Sequence, residues 1–362
     1  MKKRIVLPIL LFFATSCLAQ HKTENVVLIT LDGFRWQELF QGADSALMHQ
    51  QKEFKDARLT EKFWRDDVSE RRKSLLPFFW NTIAVQGQLF GNRTYGSKVN
   101  VSNQMWFSYP GYNEILTGRA DDERINSNDK IYNPNTNVLE FLNKQPAYNG
   151  KVAAFSSWDV FPHIINDKRS GVYVSTGWNP VVRNTLNERE KMMNLLVQSL
   201  PNPLGDVRLD AFTFYYGLEY MKKNKPRVMY FAFDETDDFA HQGEYGAYLN
   251  AAHYTDRFVG ELWDYLQLDP QYRGKTTVLI TTDHGRGTSG EDWKHHGRKI
   301  AEADQIWFAV LGPDTDPKGE VKEEGQFYQR QVAQTLASFL GQKFLTDQSL
   351  TEILPMQKTN AK

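Results

Sequence analysis

The chain has 362 residues, enough to bury a large core in one α/β domain or two smaller ones. Its 43 basic and 44 acidic residues nearly cancel, which removes the electrostatic drive expected of a protein that binds nucleic-acid duplexes or membrane surfaces. With Cys17 as its one cysteine, the chain excludes an intrachain disulfide, and any metal site must be built from His, Asp and Glu.

In chain order, MKKRIVLPILLFFATSCLAQ has a basic start, a short apolar stretch and then small residues, the layout of a signal peptide expected over residues 1–19, with export to the periplasm or the exterior. Cleavage before Gln20 is the favoured processing; the competing reading is lipid attachment at Cys17, the only route by which a membrane partner is expected. The remaining 20–362 read as a single domain. NVVLITL (25–31) is apolar at consecutive positions and ends on Asp32. A charged tract, 51–73, reads as a solvated helical insertion near 43–75. WFSYPGYNEILTG (106–118) carries Ser108 just before Pro110 and a short helix closed by Gly118. KVAAF (151–155) reads as the next strand, followed by a helical insertion near 180–212. RVMYFAF (227–233) then leads into DETDDFAH, and residues 247–266 place Leu249, Ala252, Val259, Leu262 and Leu266 on one helical face. TTVLITT (276–282) ends on Asp283, His284 and Gly285, WKHHG follows, and IWFAVLG (306–312) is the last apolar run before a helix carrying Val332, Leu336, Phe339 and Leu340. Consecutive rather than alternating apolar positions mark strands covered on both faces. Their alternation with helices predicts an α/β fold with a mostly parallel central sheet, helices on both faces and helical insertions.

In such sheets ligands bind at the carboxyl ends of the strands, and three strands deliver acids there: Asp32, Asp237 and Asp283. Each has histidines near it. Asp237 and His241 are four residues apart, on one face of a helical turn; His284 adjoins Asp283, and His295 and His296 follow. Any one of these alone is a turn residue or an ordinary histidine. Their coincidence predicts a site for two divalent metal ions, Zn²⁺ by its nitrogen and oxygen donors, with Mn²⁺ also suited to them. Ser108, at a helix N-terminus, is placed to react, because exposed N–H groups and the helix dipole stabilise an alkoxide or a phosphate there.

This order of motifs resembles the alkaline phosphatase superfamily of metalloenzymes, and FSYPGYNEILTG is most similar to the nucleophile segment of its type I phosphodiesterase and nucleotide pyrophosphatase branch. The resemblance spans about residues 25–300. It implies an alkaline phosphatase-like fold, with one metal held by Asp32, Ser108, Asp283 and His284 and the other by Asp237, His241 and His296. His296 is preferred to His295 because it precedes Gly297. Ser108 falls at the nucleophile position, forming a phosphoseryl intermediate. Asn128 lies near an asparagine that holds phosphoryl oxygens in the diesterase branch; Arg286, Lys294 and Arg298 are further cationic candidates. Gly111 and Tyr112 depart from the diesterase pattern, which has Asn and His there, and the sulfatase CxPxR signature is absent.

The implied function is an exported two-metal hydrolase of small-molecule phosphate esters, with monoesters and diesters both open. A sulfate or phosphonate hydrolase of the same superfamily, or a non-catalytic binding protein on a decayed scaffold, are the alternatives. Trp106, Tyr109, Tyr112 and Trp158 read as core or rim in preference to a stacking surface. Gly285 is expected to keep a Cβ away from the metals.

Overall fold

A computed structural model describes residues 22–50, 57–288, 290–345 and 352–358; the expected signal peptide with Cys17 lies outside them. Among the described residues ten strands form in chain order: β1 (Asn25–Leu31), β2 (Gln88–Phe90), β3 (Ser97–Asn100), β4 (Val152–Ser156), β5 (Tyr173–Ser175), β6 (Val228–Phe233), β7 (Thr276–Thr281), β8 (Phe308–Leu311), β9 (Gly319–Glu320) and β10 (Gly325–Tyr328). Eight make one sheet in the order β5-β4-β6-β1-β7-β8-β2-β9, and β10 pairs with β3 beside it.

Every residue of β1, β4, β6 and β7 is buried, as their uninterrupted apolar runs require, because helices cover both faces of the sheet. Along β1, Val27, Ile29 and Leu31 join a core layer with Leu249, Val259 and Leu262 of the helix Tyr245–Leu268. Val26 and Leu28 join the opposite layer, with Ile115 and Leu116 of the helix Ser108–Thr117 and Leu336 of the helix Val332–Phe339. The strand's two-residue period thus assigns alternate side chains to two different helical layers.

The sheet is mostly parallel. β4 is parallel to β5 and β6, and β1 to β6 and β7, but β8 runs antiparallel to both β7 and β2. The apolar run of β8 shows burial on both faces without showing direction, since β8 is as fully buried as the parallel strands β1, β4, β6 and β7. Strands β2, β3, β5, β9 and β10 have two to four residues each, too short for a periodic signal.

Around the expected insertions, helices cover Ser45–Gln50, Ala57–Phe63 and Val68–Leu75, and Glu188–Ser199. No helix among the described residues is long and apolar enough to cross a membrane.

Candidate active site

β6, β1 and β7 are neighbours, and their register is nearly level: Leu31 pairs with Phe233, and Thr30 with Thr281. Residues about two hundred apart in sequence therefore reach one edge together. Asp32 follows β1, Asp283 follows β7, and Asp234 starts the helix Glu235–Gln242 that carries Asp237 and His241. From the other face of the sheet, the helix Ser108–Thr117 brings Ser108 at its first residue to the same edge. Gly111 permits that approach, because a Cβ there would lie 2.4 Å from the Asp283 carbonyl oxygen.

Two overlapping groups result. The ligating atoms of Asp32, Asp283 and His284 lie within 4.8 Å of one another, as do those of Asp237, His284 and His296. His284 Nε2 is 3.3 Å from Asp32 Oδ1, 3.4 Å from Asp283 Oδ2 and 3.4 Å from Ser108 Oγ. Its Nδ1 lies 2.9 Å from the Gly285 carbonyl oxygen, so Nδ1–H donates there and Nε2 is the ring nitrogen turned toward the carboxylates. Asp237 Oδ2 lies 3.2 Å from His241 Nε2, which is 2.9 Å from His296 Nε2. His296 is turned inward, 3.7 Å from Asp237 Oδ1, while its neighbour His295 is exposed.

Among the described residues the buried atoms Asp32 Oδ1, Asp283 Oδ2 and His296 Nδ1 have no hydrogen-bond partner, the two carboxylate oxygens having only the His284 Nε2 nearby at 3.3 and 3.4 Å. Unpaired buried carboxylate oxygens are costly unless something charged meets them, and the donors are the nitrogen and oxygen types that suit Zn²⁺ or Mn²⁺. The residues present fit a divalent metal site on both counts.

The same side chains crowd one another's charges. Burial, with Asp32 close by, raises the Asp283 carboxyl well above its ordinary value. Burial by itself disfavours the His284 imidazolium, but Asp283, Asp32 and Asp237 outweigh it and push the His284 pKa up to about 9. On the other side, burial and the nearby His284 hold His296 well below its ordinary value, neutral and ready to ligate. Burial opposes ionisation of Asp237, yet Arg286, followed by His241, overcomes it and keeps this carboxylate charged.

Arg286 is itself buried and ion-paired to Asp237. Its Nε donates to the Trp293 carbonyl at 2.9 Å and its Nη2 to the Lys294 carbonyl at 2.5 Å, tying the loop that carries His296 to the Asp237 helix. Lys294 pairs with Glu291 at 2.6 Å. Asn128 accepts the Tyr109 backbone N–H at 3.0 Å, and its amide NH₂ makes no hydrogen bond among the described residues. Tyr112 and Tyr109 are core residues: Tyr112 donates its hydroxyl to Asp32 Oδ2 at 2.8 Å, and Tyr109 to the Ile131 carbonyl at 2.6 Å. Sequence reading found Tyr112 as a departure in the nucleophile segment but had no means of seeing its contact with Asp32.

The expectation for Gly285 is corrected. A Cβ there would lie 2.3 Å from the Gln305 carbonyl oxygen, so its role is close packing of two loops. The glycine that keeps a Cβ out of the site is Gly33, at φ +57°, where a Cβ would meet Arg286 Nη1 at 2.8 Å, Asp237 Oδ1 at 2.9 Å and His284 Cε1 at 3.1 Å.

Beside His296 opens a cleft of about 490 Å³, lined by Met105, Phe107, Asn126, Gly297, Arg298 and Lys299 in addition to His296.

Residues 45–335 match the model of the family described as type I phosphodiesterase / nucleotide pyrophosphatase; Asp32 lies ahead of the matched range. No curated protein matches the chain. Among solved structures, wild-type alkaline phosphatase PafA aligns over 89% of this chain and 96% of its own, with a TM-score of 0.59 and 11% identity. The lipoteichoic acid synthase LtaP from Listeria monocytogenes aligns over 89% of this chain and 73% of its own, at a TM-score of 0.57 and 13% identity. Phosphonate monoester hydrolase SpPMH from Silicibacter pomeroyi aligns over 89% and 74%, at 0.54 and 14%. The shared fold is that of the alkaline phosphatase superfamily.

Proposed function

The chain belongs to the type I phosphodiesterase / nucleotide pyrophosphatase family of alkaline phosphatase superfamily hydrolases, and from that membership we propose that it is an exported, two-metal hydrolase of small-molecule phosphate esters acting through Ser108. The observation that carries this reading is Ser108 Oγ at 3.4 Å from His284 Nε2, at the rim of a buried cluster whose carboxylate oxygens Asp32 Oδ1 and Asp283 Oδ2 have no hydrogen-bond partner among the described residues.

Divalent cations, held by Asp32, Asp283, His284 and Ser108 and by Asp237, His241 and His296, would lower the pKa of the serine hydroxyl and stabilise charge on the departing oxygen. Ser108 Oγ forms the new bond to phosphorus as the ester P–O bond breaks in line. The leaving oxygen takes up a proton, and water then cleaves the phosphoserine to free the hydroxyl and release phosphate or a monoester. The Asn128 NH₂, with its carbonyl oxygen engaged by Tyr109, is placed to hold a phosphoryl oxygen. Tyr112 holds Asp32 in orientation through a buried hydrogen bond.

Arg286 and Lys294, two of the three cationic candidates, are engaged by Asp237 and Glu291. An amide as the donor beside Ser108 suits the single charge of a diester better than the dianion of a monoester. The test compares kcat/KM for bis(p-nitrophenyl) phosphate and p-nitrophenyl phosphate, with acid quenching to trap phosphoserine. Diester turnover should predominate, and Ser108→Ala should lower it by at least about 10³-fold while bound metal is retained. Near-wild-type turnover in Ser108→Ala would remove the serine from the nucleophile role.

A further inference from the structure

The cleft beside His296 is walled by three segments, each of which also carries a residue of the candidate site. Met105 and Phe107 lie three residues and one residue before Ser108, Asn126 lies two residues before Asn128, and Gly297, Arg298 and Lys299 follow His296. A group attached to a phosphorus atom held between Ser108 and His296 therefore has this cleft as its adjoining space. At about 490 Å³ the space exceeds what a phosphoryl group needs and is of the size that takes a small-molecule substituent.

The lining is chemically uneven. Arg298 and Lys299 are exposed cations that form no ion pair among the described residues, unlike their buried neighbour Arg286. They place two positive charges in one cleft of a chain whose formal net charge is −1. Met105 and Phe107 supply a thioether and a phenyl ring on the adjoining wall, and Asn126 an amide. Gly297, at φ +97°, brings the cationic loop toward the other wall, with a Cβ position 3.8 Å from the Met105 carbonyl oxygen. A purely apolar group would leave the cations without a partner, and a bare anion would leave the ring and thioether uncovered.

We propose that this cleft is a subsite for an ester substituent with a flat, apolar body and an anionic group of its own, the anion recognised by Arg298 and Lys299 and the body by Met105 and Phe107. The inference rests on the hydrolase reading and names the class of ester it takes: phosphodiesters in which an aryl-like substituent bears a carboxylate.

The metal-loaded full chain is compared on two symmetrical diesters, bis(4-nitrophenyl) phosphate and bis(3-carboxy-4-nitrophenyl) phosphate, so that either substituent can enter the cleft. The readout is the ratio of kcat/KM, carboxylated over neutral, in wild type and in R298Q/K299Q. Intrinsic differences between the leaving groups cancel between the two proteins. The ratio should fall about ten-fold or more in the variant, and the wild-type ratio should shrink as salt rises from 0.05 to about 0.5 M, since the cations are exposed. An unchanged ratio overturns the subsite. The same two esters titrated calorimetrically into metal-loaded Ser108→Ala protein, with and without R298Q/K299Q, read the subsite independently of turnover. Absence of turnover on both esters sinks the hydrolase reading, whereas equal affinity for both esters, or a preference that survives R298Q/K299Q, sinks the subsite.

Discussion

At Gly33 the backbone adopts φ +57° in the space between Arg286, Asp237 and His284. A single methyl there would have to displace a buried guanidinium or a metal-binding candidate, and a left-handed conformation adds about 1–2 kcal/mol of strain for a residue with a Cβ. Gly33→Ala should lower the melting temperature and reduce bound metal to below about half of the wild-type content, with kcat/KM falling at least about ten-fold. Elemental analysis and a thermal melt on one preparation check this; wild-type metal content would show that the site accommodates the methyl. The same scale explains why the histidine doublet needed coordinates. His295 and His296 differ by one position in sequence, and only the turn of the chain aims one ring at Asp237 and leaves the other in solvent.

Among the elements, the helix Tyr245–Leu268 was the most legible in sequence, because five apolar residues recur on one face and all are buried. Its Asp256 was not legible. That carboxylate accepts the backbone N–H groups of Phe78 and Phe79 at 2.8 and 2.9 Å, tethering the helix to the segment Phe79–Ile83. Burial dominates over those two bonds and raises the Asp256 pKa to about 7. An acid whose folded pKa exceeds its unfolded value of 3.8 binds its proton more tightly when folded. The associated stability is fully present below pH 3.8 and is lost as pH rises to about 7, at up to about 1.4 kcal/mol per pH unit. Asp256→Asn lacks this titration, so denaturant unfolding should show the variant gaining on wild type between pH 5 and pH 8. A stability difference that does not change with pH would contradict the assigned shift. Strand β8 carries a different lesson: its apolar run showed its burial, but direction depends on the route by which the chain returns to the sheet.

For the whole molecule, the dominant electrostatic fact is the crowding of carboxylates at the carboxyl edge of β6, β1 and β7. Asp32, Asp234 and Asp283 are all buried there, with Asp237 in the adjoining helix, and burial raises Asp234 and Asp283 well above their ordinary values. Cations binding the folded state and not the unfolded one stabilise it by about 2.7 kcal/mol at a hundred-fold excess over Kd. For a chain of 362 residues, whose unfolding entropy is about 2.1 cal/mol/K per residue, that corresponds to roughly 4 °C in Tm. Removing metal with EDTA should therefore lower Tm by about that amount, and Zn²⁺ should restore it. A melting curve indifferent to chelator would mean that no ion is held at this edge.

The sequence by itself determined the α/β alternation, the main strands, the long amphipathic helices and the residue types gathered at the strand ends. These depend on local periodicity: a strand covered on both faces must be apolar throughout, and a polar residue at its end marks where it leaves the core. Only the tertiary structure decided that β6, β1 and β7 stand side by side, that His284 faces both groups of ligating atoms, that Arg286 is engaged by Asp237, and that Gly33 rather than Gly285 keeps a Cβ out of the site. Each is a contact between segments far apart in the chain, set by strand register and loop packing, and no local pattern encodes those distances.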